Sequence, residues 1–250
     1  MELNAYRATG KEKARLDNLL ELVVPRSRDS ILEIGSRDGF HTRILTKYFR
    51  TLTALDLVKP YFDGEPSIVP VQGNVTALDF PDNTFDCVLC AEVLEHVPQL
   101  EQAAREIARV TRDAAVIGVP FNQDTRVGRT TCQSCGKQNP PYGHVNTFTE
   151  ARLRSLFPGM KAEKVCFIGS NSERTNAVST WLMDLGNNPW GEYGQEEGCI
   201  HCGAGLKRPA ALGFGQKVSV ALAARLNRVQ AGFVKPQPDW IHILFRKQAD

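Results

Sequence analysis

The sequence predicts an α/β protein: a seven-stranded, mostly parallel sheet with helices on both faces. Three observations lead there. Seven short apolar segments recur along the chain, capped or amphipathic segments lie between the early ones, and two long polar stretches interrupt the later rhythm.

In order, Leu16, Leu19, Leu20 and Val23 fall at helical spacing over 11–24, and Pro25 ends the run. Ser30 to Ile34 reads as a strand entering Gly35, 40–49 as a helix, Leu52 to Leu55 as a strand ending at Asp56, and Ile68 to Val71 as a third strand. Phe85 to Ala91 reads as a buried strand, and 98–111 is amphipathic after Pro98. Ala114 to Val119 is a strand closed by Pro120. Thr149 is placed to cap a helix over 150–157, with Glu150 in its first turn. Residues 161–169 and 241–247 complete the seven strands. Residues 121–148 are polar and rich in Gly, Pro and Cys. Residues 170–238 form a long insert with one helix, over 216–230. The organisation read from this is a core of 1–120, 149–169 and 239–250 interrupted at 121–148 and 170–238. Inserts of that length carry function or structure of their own.

The 250 residues suffice for one core with insertions, and 42% hydrophobic with 23% charged residues excludes wholesale disorder. The net charge of +2, without a long Lys or Arg run, does not favour a nucleic-acid partner. No apolar stretch approaches the length of a membrane span, and Met1-Glu2-Leu3-Asn4 does not open a signal pattern. Of seven cysteines, Cys87, Cys90 and Cys166 lie in apolar strands and read as core. Such usage suits a reducing cytoplasm better than a disulfide scaffold.

The stretch Ile31-Leu32-Glu33-Ile34-Gly35-Ser36-Arg37-Asp38-Gly39 ends a strand in an acid and turns through glycines into a helix. Glycine permits the turn and close approach of a ligand to the main chain, and the helix N-terminus offers free N–H groups. About twenty residues on, Asp56 ends the next strand, where a carboxylate accepts hydrogen bonds from ribose hydroxyls. A generic strand-turn-helix is the plain alternative. A nicotinamide site would want Gly-x-Gly-x-x-Gly, which Gly35 to Gly39 does not supply.

The run Gly73-Asn74-Val75-Thr76-Ala77-Leu78-Asp79-Phe80-Pro81-Asp82-Asn83-Thr84-Phe85-Asp86-Cys87-Val88, then Glu92-Val93-Leu94-Glu95-His96-Val97, resembles the class I S-adenosylmethionine-dependent methyltransferases, especially their small-molecule branch. The resemblance covers roughly 30–120, and 144–169 more loosely. It implies a Rossmann-like fold with S-adenosylmethionine as cofactor. Glu33, Gly35, Ser36 and Gly39 would line its methionine and ribose end, and Asp56 would hold the ribose hydroxyls. Asn74 and Val75 would sit by the adenine, and Ala91 and Glu92 near the sulfonium. Two residues depart from the pattern. Arg37 stands where the family has its middle glycine, so its side chain points away or the loop differs. Asn74 replaces an Asp, keeping an amide able to pair with an adenine edge.

Cys132-Gln133-Ser134-Cys135-Gly136 and Cys199-Ile200-His201-Cys202-Gly203 share the form Cys-x-x-Cys-Gly. Two intervening residues let both thiolates reach one ion, and the glycine permits the knuckle turn. Together Cys132, Cys135, Cys199 and Cys202 are the complement of a closed, structural zinc site, with no open position for chemistry. A redox role is the alternative; His201 reads as a spacer. The resembled family has parallel fifth and sixth strands and an antiparallel seventh. Both inserts would then leave the sheet at its ligand-binding carboxyl edge, and zinc would staple a lid there.

Methyl transfer needs an aligned nucleophile and often a base. His96, after the fourth strand, and His144, at the end of the first insert, are candidates. Each has a plain reading as a packed or loop-bonding residue. Arg126, Arg129, Arg174, Lys207 and Arg208 are solvated surface by default, or receive an anionic acceptor. Trp181, Trp190, Tyr142 and Tyr193 offer flat surfaces to a ring or to packing. The resulting expectation is O-methylation of a small molecule: a sugar, a lipid-linked compound or a secondary metabolite. An RNA or protein methyltransferase docking through the zinc module is the second reading, and a non-catalytic cofactor scaffold the third. The sequence leaves the oligomeric state open.

Overall fold

The computed structural model describes residues 7, 9–24, 29–195 and 197–248. Two compact units emerge. The core comprises residues up to 121, with 148–169 and 238 onward; the insert comprises 122–147 and 170–237.

The core begins with α1 (Gly10–Val23), where the Thr9 hydroxyl caps the Glu12 amide and Leu19, Leu22 and Val23 are buried. Pro25, the expected stop, lies outside the described residues. The remaining core elements are β1 (Ser30–Ile34), α2 (Phe40–Leu45), β2 (Thr51–Asp56), β3 (Ile68–Gln72), β4 (Phe85–Ala91), α3 (Leu100–Val110) and β5 (Thr111–Pro120). They are followed by α4 (Glu150–Ser155), β8 (Met160–Ile168) and β9 (Trp240–Lys247). Helix α2 is shorter than the predicted 40–49; beyond Leu45 the chain continues in turns that bury Phe49. Thr149 caps α4 through its side chain.

The sheet has the order β3-β2-β1-β4-β5-β9-β8. Strands β1 to β5 pair parallel, and β9 runs antiparallel to both β5 and β8. Alternate residues of the central strands feed two apolar clusters. Leu32, Val88 and Ile117 pack with α3 and α4 residues on one face. Ile31, Cys87 and Val116 pack with Leu19, Leu22 and Leu45 on the other. Burial on both faces is the physical reason these strands read as continuous apolar runs. Cys87 and Cys90 are fully buried, whereas Cys166 is half-buried.

In the insert, β6 (Thr130–Thr131) and β7 (Gln138–Asn139) form a short hairpin around the first knuckle. Helices α5 (Ala177–Leu185) and α6 (Phe214–Ala231) pack on each other. Helix α5 is an element that the sequence pattern does not predict, since it buries only Ser179. Among the described residues no helix is long and apolar enough to cross a membrane.

Candidate cofactor site and metal centre

The parallel register aligns Ile34 with Leu55 and with Cys90, so β1, β2 and β4 end together. Glu33, Gly35 and Ser36, then Asp56, then Ala91 and Glu92, therefore share one carboxyl edge of the sheet, where open α/β sheets bind ligands. The amides of Gly35 and Ser36 donate to the Leu55 carbonyl at 2.8 and 3.2 Å. Gly35 (φ 81°) and Gly39 (φ 76°) are left-handed. A Cβ on Gly35 would stand 2.3 Å from Cγ2 of Val93, so the glycine turn lies directly against the segment after β4. Arg37 is left-handed too, at φ 49°, and donates its amide to Asp56 Oδ2 at 2.8 Å. The loop thus keeps the shape a glycine would give it, while the Arg37 side chain is exposed.

Glu33 is buried, and Thr42 donates its hydroxyl to Oε2. Burial drives its pKa up to about 8, against the lowering effect of that hydrogen bond. Asn74 Oδ1 accepts from the Thr76 amide and hydroxyl, both at 2.9 Å, so this atom is committed to the local turn. Val75 is buried in the core cluster. Glu92 has φ 56°, and its Oε2 accepts from Trp240 Nε1 at 3.3 Å. Two buried atoms on this edge, Ser36 Oγ and Glu92 Oε1, have no hydrogen-bond partner among the described residues. Left unmade, such bonds cost roughly 1–3 kcal/mol each, so they fit a polar ligand at this edge.

His96 closes a 3-10 turn, Leu94–His96, and is half-buried. Its neighbour Glu95 carries no functional signal in the sequence. Glu95 is fully buried, with neither carboxylate oxygen hydrogen-bonded among the described residues, and one lies within 4.8 Å of a His96 ring nitrogen. Burial and the Glu92 charge push the Glu95 pKa well up. Glu95, between Leu94 and His96, gives no signal of burial until the turn is built. A second buried polar group lies in α1, where Arg15 donates to both carboxylate oxygens of Glu12 at 2.6 and 2.7 Å.

His144 belongs to the insert, where it is buried and bonds Gln123 at 2.7 Å through Nδ1. Arg126 pairs with Asp124, and Arg129 with Asp184. Arg174 donates to the carbonyls of Glu173 and Asn122. Tyr193 accepts the Thr131 amide at 3.1 Å and donates to Asn187 at 3.0 Å, holding the first knuckle.

The insert brings its four cysteines together. Sγ of Cys132 is 3.7 Å from that of Cys202, Sγ of Cys135 is 3.6 Å from that of Cys199, and all four lie within 4.8 Å. Zinc about 2.3 Å from each sulfur of a tetrahedron separates the sulfurs by about 3.8 Å. The knuckles repeat one geometry. Gly136 (φ 72°) donates to the Cys132 carbonyl at 2.9 Å, and Gly203 (φ 73°) to the Cys199 carbonyl at 2.8 Å. The Cys135 and Ser134 amides face the Cys132 sulfur and lower its pKa. For Cys199, burial opposes ionisation, but the His201 and Cys202 amides help to bring the pKa down to about 6. Against the lowering effect of the Ala204 amide, burial and the sulfurs of Cys135, Cys199 and Cys132 push Cys202 up to about 12, so the four crowded sulfurs suit a cation that replaces their protons. His201 Nε2 bonds the Gln138 carbonyl at 3.0 Å, the behaviour of a spacer.

Residues 32–117 match the family described as methyltransferase domain. That match lies within the core and covers about a third of the chain. An uncharacterized protein of Methanocaldococcus jannaschii is 40% identical over 87 residues, 33% of this chain and 37% of that protein. The ubiquinone/menaquinone biosynthesis C-methyltransferase UbiE of Hahella chejuensis is 55% identical over 42 residues, 17% of each chain. These matches thus span well under half of either relative. The N-methyltransferase NodS of Bradyrhizobium japonicum, solved with S-adenosyl-L-homocysteine, shares the fold. Its TM-score is 0.57 at 15% identity, over 98% of this chain and 91% of that one.

Proposed function

We propose that the chain is an S-adenosylmethionine-dependent methyltransferase acting on a small-molecule hydroxyl, with an insert held by a structural zinc ion. The observation that carries the cofactor reading is the pair of buried atoms without a hydrogen-bond partner among the described residues, Ser36 Oγ and Glu92 Oε1, on the strand edge that also bears Asp56. When bound, S-adenosylmethionine supplies an electrophilic methyl group. Asp56 would accept hydrogen bonds from the ribose hydroxyls, and Glu33, Gly35, Ser36 and Gly39 would line the methionine and ribose end. Asn74 and Val75 would sit by the adenine, with Val75 contributing through the core wall, and Ala91 and Glu92 near the sulfonium. A hydroxyl nucleophile needs a proton acceptor, and a ring nitrogen of His96 takes that proton in this scheme, with His144 as the second candidate.

Cys132, Cys135, Cys199 and Cys202 hold the zinc, which fixes the insert and leaves no coordination position for the reaction. Residues 121–148 and 170–238 are assigned to that insert, and 1–120, 149–169 and 239–250 to the core. Four free thiols suit a reducing, cytoplasmic setting. The acceptor class is a sugar, a lipid-linked compound or a secondary metabolite.

One observation favours the second reading, a methyltransferase that docks RNA or protein. The basic residues are unevenly spread: Lys207, Arg208, Lys217, Arg225, Arg228 and Lys235 all lie between Glu197 and Asp239, a span without Asp or Glu. The weak net charge conceals this segment.

Titration calorimetry with S-adenosylhomocysteine tests the cofactor reading: one site per chain is expected, weakened in Asp56→Ala. No heat at millimolar ligand would falsify it. Mass spectrometry of a methylated small hydroxyl compound, against methylated bulk RNA, separates the two acceptor readings.

A further inference from the structure

We propose that the outward face of α6 docks the protein on an anionic lipid bilayer. This inference is independent of the acceptor's identity.

Helix α6 is built inside out. It buries Ser219, Val220 and Ala223, small or modest side chains, and leaves large ones in water. Phe214 is 85% exposed, Phe233 just beyond the helix 84%, and Val229 64%, with Val218, Leu222 and Leu226 exposed as well. Globular helices do the reverse, turning their large apolar residues to the core. At about 100° per residue, Val218, Leu222, Leu226 and Val229 fall within an arc of about 80°, a continuous stripe. The buried residues cluster in a separate sector toward α5, so the stripe is not the packing face. Gly186 after α5 shows how close that packing is: a Cβ there would stand 2.2 Å from Val220 Cγ2. Helix α5 repeats the pattern, burying Ser179 while Val178, Trp181 and Leu185 are exposed.

Charge identifies the partner. Lys217, Arg225 and Arg228 occupy the sector beside the stripe and are exposed. With Lys207, Arg208 and Lys235 they give 198–238 six positive charges and no negative one. A second copy would set these cations against themselves, which disfavours self-association through this face. A protein groove takes an anchor set of about i, i+3, i+4 and i+7. Here the apolar side chains on the helix run from Phe214 to Val229, roughly 22 Å, and Phe233 follows just beyond its end. A stripe of that length flanked by Lys and Arg matches the plane of a bilayer, its apolar side sunk to the acyl boundary and its cations at anionic headgroups.

The test is flotation of the zinc-loaded chain with phosphatidylcholine vesicles, with and without phosphatidylglycerol. Binding at least tenfold stronger to the anionic vesicles, falling as salt is raised, is expected. The triple variant Phe214→Ser, Leu222→Ser, Phe233→Ser should lose binding to both vesicle types. Lys217→Glu, Arg225→Glu, Arg228→Glu should lose only the anionic preference. All six positions are exposed, and circular dichroism checks that the variants fold. Equal binding by wild type and the serine variant, or none by either, overturns the proposal. So does a concentration-dependent dimer that the serine variant abolishes, or binding to single-stranded RNA in preference to vesicles.

Discussion

The Arg37 amide donates to the Asp56 carboxylate at 2.8 Å across the carboxyl ends of β1 and β2, while the Arg37 backbone sits at φ 49°. A left-handed non-glycine residue costs roughly 1–2 kcal/mol. Arg37→Gly should therefore stabilise the protein by about 1 kcal/mol in urea unfolding and leave S-adenosylhomocysteine affinity unchanged, because the amide remains. Asp56→Ala should weaken that ligand by about ten- to a hundredfold, read by calorimetry.

Glu33 supplies a pH dependence. Its carboxyl, near 4.5 when unfolded, is raised to about 8 by burial, so the folded chain holds a proton that the unfolded chain has released. That contribution is complete below about pH 4.5 and is lost as pH rises through about 8. Thermal melts of the ligand-free protein should fall over this window relative to Glu33→Gln. Parallel curves for the two proteins would assign the slope elsewhere.

Gly35 and Val93 form a testable pair. Gly35→Ala forces a Cβ to 2.3 Å from Val93 Cγ2 and strains a φ of 81°, which together should cost about 2–4 kcal/mol. Adding Val93→Ala should recover the steric part and leave about 1–2 kcal/mol of backbone cost. Strictly additive losses in the double-mutant cycle would mean the contact does not govern this turn.

For the metal, plasma emission should find one zinc per chain in fresh protein and almost none in Cys132→Ser or Cys199→Ser. Chelation should open the insert to trypsin at Arg126 and Arg129 while S-adenosylhomocysteine still binds the core. An unchanged digest after complete metal removal would sink the structural role.

Among the candidate bases, the one that acts should lose about a hundredfold or more in kcat on substitution by Ala, with loss of the acid limb of its pH profile. Full activity in both His96→Ala and His144→Ala removes the base from the scheme.

The sheet was legible in the sequence because its central strands are buried on both faces, leaving runs such as Cys87-Val88-Leu89-Cys90 with no polar interruption. Helix α5 was not. Its nine residues bury only Ser179 and expose Val178 and Trp181, so the periodicity that marks a helix against a core is missing. The knuckles were visible because a repeated short spacing needs no tertiary information. Glu95 was invisible for the opposite reason: its burial arises from the Leu94–His96 turn, and Arg37 conceals a glycine-like backbone behind a long side chain.

The sulfur cluster joins Cys135 to Cys199 across an interval that also contains α4 and β8 of the core. The insert is therefore a graft with two roots, each growing from a different strand of its host. If the four sulfurs hold the proposed zinc, cutting the backbone once between 170 and 198 leaves two fragments still tied through that ion. They should run as one species in gel filtration and come apart only when metal and core are both undone. Excising either root alone strands two thiols, so a shortened version of this protein must remove both segments together or neither.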